Sequence, residues 1–181
     1  ICASNDNKVL YDFFQTGTYD KNREFVLTTS PSMDILISSN LERLIYLICG
    51  EDSEKTKELM EELKTTGKYT ITPEMKEKLA DFAAGYSTEE ETAESIHDTY
   101  QKTGYVMDTH TAVAAHVCGQ YRAKSGDQTK CVIASTASPY KFVKSVMSAI
   151  DAENENADEF DLLPKLQEVS GVPMPQAIKD I

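Results

Sequence analysis

The chain has 181 residues, of which 40% are hydrophobic and 27% are charged, so it can bury one sizeable core. Its 18 basic and 30 acidic residues give a formal net charge of -12, which excludes nucleic acid and anionic membrane surfaces as favoured partners because both require a cationic face. No apolar run approaches the roughly 20 residues that span a bilayer, and the first residues lack a secretory signal, so a cytoplasmic location is expected.

The first predicted elements are a strand over residues 1–4 and a helix over residues 9–17. The strand is apolar from its first residue, which indicates that further chain precedes it. Residues 5–7 supply helix-capping side chains, and hydrophobic residues then recur at helical spacing. Ser39 and Glu42 have the spacing of a capping box, so a second helix is predicted to start there.

Three further helices are predicted from their caps. Each begins at a serine or threonine and ends close to a glycine, and two of them carry many charged residues on the outer face. The predicted spans are Ser53 to about Thr66, Thr72 to about Gly85, and Thr88 to Gly104.

A helix of small residues follows, capped by Asp108 or Thr109. His110 and His116 lie on it, but positions six apart on a helix point in directions that differ by about 120°, so no metal site is predicted. Residues at such a break often face a ligand, and Asp108 and His110 are therefore candidate binding residues. A purely structural cap is the alternative.

Four cysteines are spread widely along the chain, each among apolar neighbours. This arrangement favours reduced core thiols over a disulfide framework or a zinc site, because neither the paired spacing nor the short ligand spacing is present. The residues are Cys2, Cys49, Cys118 and Cys131.

Residues 131–142 repeat the order of the first unit: an apolar run, small hydroxyl residues, and then a proline suited to open a helix. Ligands of open α/β sheets bind at the carboxyl ends of strands, so a binding site is predicted at Ser135 and Thr136, with an ordinary helix cap as the alternative. Residues 151–161 are acidic and predicted to be an exposed linker, and residues 162–181 a short helix with a tail.

Two strand units with helices between them predict an α/β fold in which helices cover a parallel sheet. Two strands do not complete such a sheet. Its exposed edge makes a dimer through edge pairing a reasonable expectation.

Four stretches of the sequence resemble threonine synthase of the bacterial type, a pyridoxal-phosphate enzyme of fold type II, the tryptophan synthase β-like fold. They are residues 1–7, 32–43, 104–114 and 135–142, in the family's order and spacing. The resemblance implies that residues 1–150 are the carboxyl-terminal portion of the cofactor-binding domain. It also implies that the Schiff-base lysine and the phosphate-binding loop belong to the family's amino-terminal region, so that this chain alone is inactive.

The family converts O-phosphohomoserine and water to threonine and phosphate, and the resemblance implies a role for several residues in that site. Thr136 faces the pyridine nitrogen of pyridoxal 5'-phosphate, and Ser135 lies beside it. Thr109 stands where the family usually has proline, and Ser138 stands where many relatives have histidine. The implied substrate-side residues are His110, Asp108, Asn40 and Arg43.

Two readings without catalysis remain open. The chain is then a free-standing domain that binds a small molecule, or a helical interaction domain whose acidic surface engages a basic partner. Both explain why the lysines lie on charged faces, the usual place for solvated lysines, rather than in a setting typical of a nucleophile.

Overall fold

The computed structural model describes residues 1–179 and consists of helices interspersed with short strands. Turns of 3-10 helix lie at Pro31–Met33, Pro139–Phe142 and Ala152–Asn154. The strands are β1 (Cys2–Ser4), β2 (Thr18–Asp20), β3 (Lys68–Thr70) and β4 (Ala84–Tyr86). The helices are α1 (Val9–Thr16), α2 (Leu41–Ile48), α3 (Ser53–Thr66), α4 (Pro73–Glu77), α5 (Glu89–Thr103), α6 (Thr109–Ser125), α7 (Val143–Ile150), α8 (Glu159–Ser170) and α9 (Gln176–Lys179).

The strands form two small sheets. β1 pairs with β4 in parallel, and β2 pairs with β3 antiparallel, with Tyr19 opposite Tyr69. α1 and α6 each contact both strands of the parallel pair, so helices pack on the sheet as predicted. The predicted α/β fold, rich in helices and with an incomplete parallel sheet, is confirmed.

The predicted helix ends are confirmed where a side chain caps them. Asp52 accepts a hydrogen bond from the backbone N–H of Lys55 at the start of α3. Thr88 and Glu91 form both bonds of a capping box at the start of α5. These bonds satisfy backbone N–H groups that have no partner within the helix, which is why local sequence suffices to place them.

The predicted capping box at Ser39 is wrong. α2 begins at Leu41 with Asn40 in the N-cap position, and no side chain caps it. The Asn40 amide oxygen instead accepts a hydrogen bond from the Arg43 guanidinium at 2.7 Å. The Asn40 side chain is thus directed to Arg43 and makes no bond to the backbone N–H groups of the first turn.

The helix predicted from Thr72 to Gly85 is wrong beyond Glu77, where α4 ends, because β4 follows it. Gly85 suggested a helix end but is a strand residue. A Cβ atom at Gly85 would lie 2.7 Å from Cγ1 of Val117, so the glycine allows α6 to approach the strand closely.

The strand predicted near residue 131 is also wrong, since residues 131–137 have no regular secondary structure. A strand requires a neighbour to satisfy its backbone N–H and C=O groups. β1 pairs with β4, and none of the strands within residues 1–179 pairs with this segment. Val132 is consequently 93% exposed.

The acidic stretch 151–161 has local structure of its own. Asp151 accepts a hydrogen bond from the N–H of Glu153, and buried Asn154 donates to the Met147 carbonyl oxygen at 3.2 Å. Hydrogen bonds to the end of α7 therefore order a segment with little apolar surface, and α8 already begins at Glu159. The division into a linker and a tail stays a prediction, and residues 180–181 of that tail lie outside the described residues.

Two buried clusters of hydrophobic side chains hold these elements together. The first joins α1, α2, α3 and the β2–β3 pair, and the second joins α5, α7 and α8. Within residues 1–179, no helix combines the length and the apolar composition needed to cross a membrane. Representative side chains are Phe13, Tyr19, Ile45 and Tyr69 in the first cluster, and Ile96, Val143 and Leu162 in the second.

The stacked rings of Tyr19 and Tyr69 predict a loss of stability at high pH. Burial is the main cause that raises the pKa of both phenols above the ordinary value of 10.0. The neutral phenols therefore stabilise the fold fully below about pH 10, and this contribution is lost as the pH rises through the folded-state pKa. The free energy of unfolding is expected to fall by up to about 1.4 kcal/mol per pH unit for each phenol that ionises only on unfolding.

Urea unfolding followed by circular dichroism between pH 7 and pH 11 measures this effect. Tyr69→Phe should flatten the alkaline decline, whereas Tyr105→Phe, at a residue 55% exposed, is the control and should leave it unchanged. An equal slope in wild type and Tyr69→Phe would contradict the prediction.

Candidate functional site

Asp108 caps the N-terminus of α6 from a fully buried position. The residue is 1% exposed, and its carboxylate accepts hydrogen bonds from the backbone N–H groups of His110 at 2.9 Å and Thr111 at 3.3 Å. A carboxylate at this end of a helix also interacts favourably with the helix dipole. The predicted choice between Asp108 and Thr109 is thus resolved in favour of Asp108 as the cap.

His110 joins α6 to two other segments. Its Nδ1 lies 3.1 Å from Oδ1 of Asp108, and its Nε2 accepts a hydrogen bond from the backbone N–H of Ser32 at 3.2 Å. Because Nε2 accepts, the neutral ring carries its proton on Nδ1 and donates it to Asp108. The ring also packs against Phe142, with centroids 4.8 Å apart.

Thr111 connects the buried carboxylate to the predicted cofactor residues. Its hydroxyl forms hydrogen bonds with Oδ2 of Asp108 and with Oγ of Ser135, the latter at 2.8 Å. We call His110, Asp108, Thr111 and Ser135 the α6 hydrogen-bond chain. Thr136 follows it directly, is exposed, and its hydroxyl makes no hydrogen bond within residues 1–179.

Thr109 connects the start of α6 to a different part of the chain from the α6 hydrogen-bond chain. Its hydroxyl donates to the carbonyl oxygen of Thr29 at 2.8 Å, and the N–H of Thr29 donates to Oε2 of Glu89 at 2.8 Å. A proline, which relatives usually have at this position according to the resemblance, lacks a side-chain donor. The threonine therefore supplies a tie between α6, the loop before Pro31 and α5.

A second polar cluster lies where β1 ends, and Asp34 is its centre. Asp34 Oδ1 accepts hydrogen bonds from the side-chain amides of Asn5 at 2.7 Å and Asn7 at 3.0 Å, and from the Thr28 hydroxyl at 2.7 Å. Asp34 Oδ2 accepts from the Thr28 backbone N–H. Two of the stretches that carry the resemblance, residues 1–7 and 32–43, therefore meet at one carboxylate.

Asn40 and Arg43 do not join either cluster. They bond to each other on the exposed surface of α2, and no hydrogen bond or ion pair within residues 1–179 connects them to the α6 hydrogen-bond chain. Arg43 lines a groove of about 760 Å³ between α2 and α3, together with Lys57 and Lys64. The structure thus unites Asp108, His110 and Ser135, with Thr136 next in the chain, and leaves Asn40 and Arg43 apart.

Thr111 and Ser32 belong to the site but were not predicted. Thr111 lies three positions after the cap, where a hydroxyl can reach back to a capping carboxylate. The spacing of Asp108 and Thr111 therefore indicates this hydrogen bond from the sequence. Ser32 contributes only its backbone N–H, for which no side-chain pattern gives a signal.

Comparison with known proteins identifies the family. The sequence model described as "Threonine synthase, C-terminal" matches residues 111–181. Threonine synthase-like 1 of Homo sapiens is 38% identical over 175 residues, covering 96% of this chain and 23% of that protein.

Two solved structures are similar to the chain. The pyridoxal-phosphate-bound threonine synthase from Brucella melitensis superimposes with a TM-score of 0.75 at 39% identity, covering 81% of this chain and 31% of that one. Yeast threonine synthase gives a TM-score of 0.79 at 33% identity, with coverages of 94% and 37%. The chain thus spans about a quarter to somewhat over a third of the length of these relatives. It belongs to the threonine synthase family and corresponds to the carboxyl-terminal part of its members.

Proposed function

We propose that this chain forms the cofactor-ring side and part of the substrate side of a threonine synthase active site. The reaction is the conversion of O-phosphohomoserine and water to threonine and phosphate. The α6 hydrogen-bond chain is the observation that carries the proposal. It joins residues 104–114 to residues 135–142, two stretches whose resemblance to the family is independent.

The residues at the end of that chain suit pyridoxal 5'-phosphate. Bound pyridoxal phosphate supplies an electron sink for negative charge on an amino-acid substrate. The exposed Thr136 hydroxyl is able to donate to or accept from a pyridine nitrogen, and being neutral it does not favour a protonated ring as a carboxylate would. Ser135, held by Thr111, fixes the backbone on which Thr136 is carried.

We assign Asp108 and His110 to the substrate side. Asp108 orients the imidazole through Nδ1, so Nε2 is the atom that points toward Ser32 and the loop of residues 28–34. A ligand that displaces the Ser32 N–H gains an acceptor at Nε2. His110 therefore binds a hydroxyl or ammonium donor in this proposal.

Arg43 and Asn40 are proposed to bind the phosphate group of the substrate. One guanidinium N–H of Arg43 donates to the Asn40 amide oxygen, and the remaining donors of Arg43 suit an oxyanion. Lys57 and Lys64 line the same groove and add positive charge.

Residues 1–181 alone are proposed to be inactive. The family's Schiff-base lysine and phosphate-binding loop belong to an amino-terminal region, and the chain matches the carboxyl-terminal part of its relatives. Borohydride reduction of the chain with pyridoxal phosphate should leave no stable adduct on a specific lysine.

A dimer through the open edges of the β1–β4 pair is also proposed, and a monomer at all concentrations in sedimentation would contradict it.

The groove between α2 and α3 favours the binding-domain alternative. Tyr46, Leu47 and Met60 give it an apolar floor of a size typical for small ligands. Saturable binding to the isolated chain, without the cofactor, of a small molecule that carries no phosphate group would support this reading over the enzymatic one, in which the groove takes the substrate phosphate.

Thr136→Val tests the cofactor role in an active enzyme. We suggest yeast threonine synthase with its matching segment replaced by this chain, which is 33% identical to it. Loss of the hydroxyl should lower kcat for phosphate release about tenfold or more and shift the cofactor absorbance, because the pyridine nitrogen loses its partner. Thr136→Ser should retain most activity.

Ser138→Ala is the matched control, since Ser138 caps the turn at Pro139–Phe142 and has no assigned cofactor contact. Unchanged kcat and absorbance in Thr136→Val would overturn the assignment of Thr136. An inactive wild-type chimera that binds the cofactor would count against the proposed reaction instead.

A further inference from the structure

Two of the four cysteines line the same small pocket, away from the α6 hydrogen-bond chain. Cys118 lies in the second half of α6 and is 7% exposed, whereas Cys131 lies on the following segment and is exposed. Both line one small pocket of about 160 Å³, together with Arg122 and Lys130.

Their environments give the two thiols different reactivities. Burial and the neighbouring Cys131 raise the pKa of the Cys118 thiol, so it is protonated and shielded near neutral pH. Cys131 is open to solvent, and the charged side chains of Arg122, Lys130 and Asp127 line the same pocket. The exposed Cys131 is thus suited to attack a disulfide, and the shielded Cys118 to resolve the resulting mixed disulfide.

We propose that Cys118 and Cys131 form a modification site that low-molecular-weight disulfides oxidise to an intramolecular disulfide. The Cys131 thiolate attacks one sulfur of a reagent such as glutathione disulfide, whose S–S bond breaks and releases one thiolate. Cys118 then loses its proton, and its sulfur attacks that of Cys131 and displaces the second thiolate. The two cysteines lose two electrons and two protons, and the reagent gains both and becomes two thiols.

The other two cysteines do not share this arrangement. Cys49 lies against the sulfur of Met75 at 4.0 Å, and Cys2 lies on β1. Neither lines the pocket that holds Cys118 and Cys131. Oxidation should therefore be selective.

The bond would restrain the segment that leads to the proposed cofactor residues. Residues 131–137 have no regular secondary structure, and Ser135 is held by a hydrogen bond to Thr111. A covalent link at Cys131 fixes this segment to α6 a second time. The oxidation state of the two cysteines would then set how freely Ser135 and Thr136 move. The consequence for cofactor binding rests on the proposed function, which assigns these two residues to the cofactor.

Peptide mapping of the whole chain tests the site directly. The reduced protein is incubated with glutathione disulfide, free thiols are blocked, and the protein is digested with trypsin without reduction. Cleavage after lysine and arginine leaves Cys118 in the peptide 103–122 and Cys131 in the peptide 131–141. We expect these two peptides linked and lighter by two hydrogens than their sum.

Three variants make the result specific. Cys118→Ser should stop at a glutathione adduct on Cys131, Cys131→Ser should give neither the adduct nor the link, and Cys49→Ser should behave like wild type. Hydrogen exchange of residues 131–137 should slow about tenfold on oxidation, because local opening is restricted.

Separate, unlinked peptides in oxidised wild type would overturn the proposal, as would a link that involves Cys2 or Cys49. A link that forms without any change in exchange would overturn the claim that it restrains the segment. These measurements need no cofactor or activity, so they are independent of the proposed enzymatic function.

Discussion

Replacing Asp108 with alanine is expected to lower the free energy of unfolding by about 3 kcal/mol. The substitution removes a helix cap, which contributes about 1 kcal/mol, and leaves buried partners without their charged acceptor. Those partners are the N–H groups of His110 and Thr111 and the Thr111 hydroxyl. Urea unfolding followed by circular dichroism measures the loss, which suits a chain without tryptophan.

Asp108→Asn separates the cap from the charge. The asparagine oxygen still accepts the backbone N–H groups, so a cost of only about 1 kcal/mol is expected. Hydrogen exchange should also report the release of His110 in the alanine variant but less in the asparagine variant. If Asp108→Ala unfolds at the same urea concentration as wild type, the Asp108 cap does not contribute the expected free energy of unfolding.

Replacing Asp34 with alanine is expected to cost a similar amount, about 3 kcal/mol, although Asp34 itself is only half-buried. Its carboxylate is a common acceptor for Asn5, Asn7 and Thr28. Asn5 and Asn7 are 1% and 4% exposed, so water does not readily replace the lost partner. Thermal unfolding and urea unfolding of the variant both measure the effect.

Glu54→Ala is a matched control, since it removes an exposed carboxylate from the first turn of α3 and should change stability by less than about 0.5 kcal/mol. Asp34→Asn should lie between wild type and Asp34→Ala, because one oxygen remains as an acceptor. Equal stabilities of Asp34→Ala and Glu54→Ala would show that the cluster contributes little.

Local sequence predicts the helices whose ends depend on local hydrogen bonds. The start of α5 needs only Thr88 and Glu91, three residues apart, and the span of α3 is found as predicted. Strand pairing depends on residues far apart in the chain and was predicted poorly. β4 was assigned to a helix, and the β2–β3 pair was not predicted.

The candidate site shows the same division. Asp108 and His110 were predicted from a local break before a helix, and Ser135 from a hydroxyl after an apolar run. That Thr111 connects these two segments follows from the packing of α6 against the chain beyond it, which no local pattern reports. The resemblance implies the roles of Asp108, His110 and Ser135, and the hydrogen bonds of Thr111 connect them.

Gly85 and Val117 form a contact in which the size of one residue limits the size of the other. Because a methyl group at Gly85 would lie 2.7 Å from Cγ1 of Val117, any larger residue on the strand requires a smaller one on the helix. We expect Gly85→Ala to be poorly tolerated alone and largely rescued by Val117→Ala, a coupling that a double-mutant cycle measures. Among related sequences, the two positions should therefore vary together, so that aligned sequences alone would reveal that this strand and this helix touch.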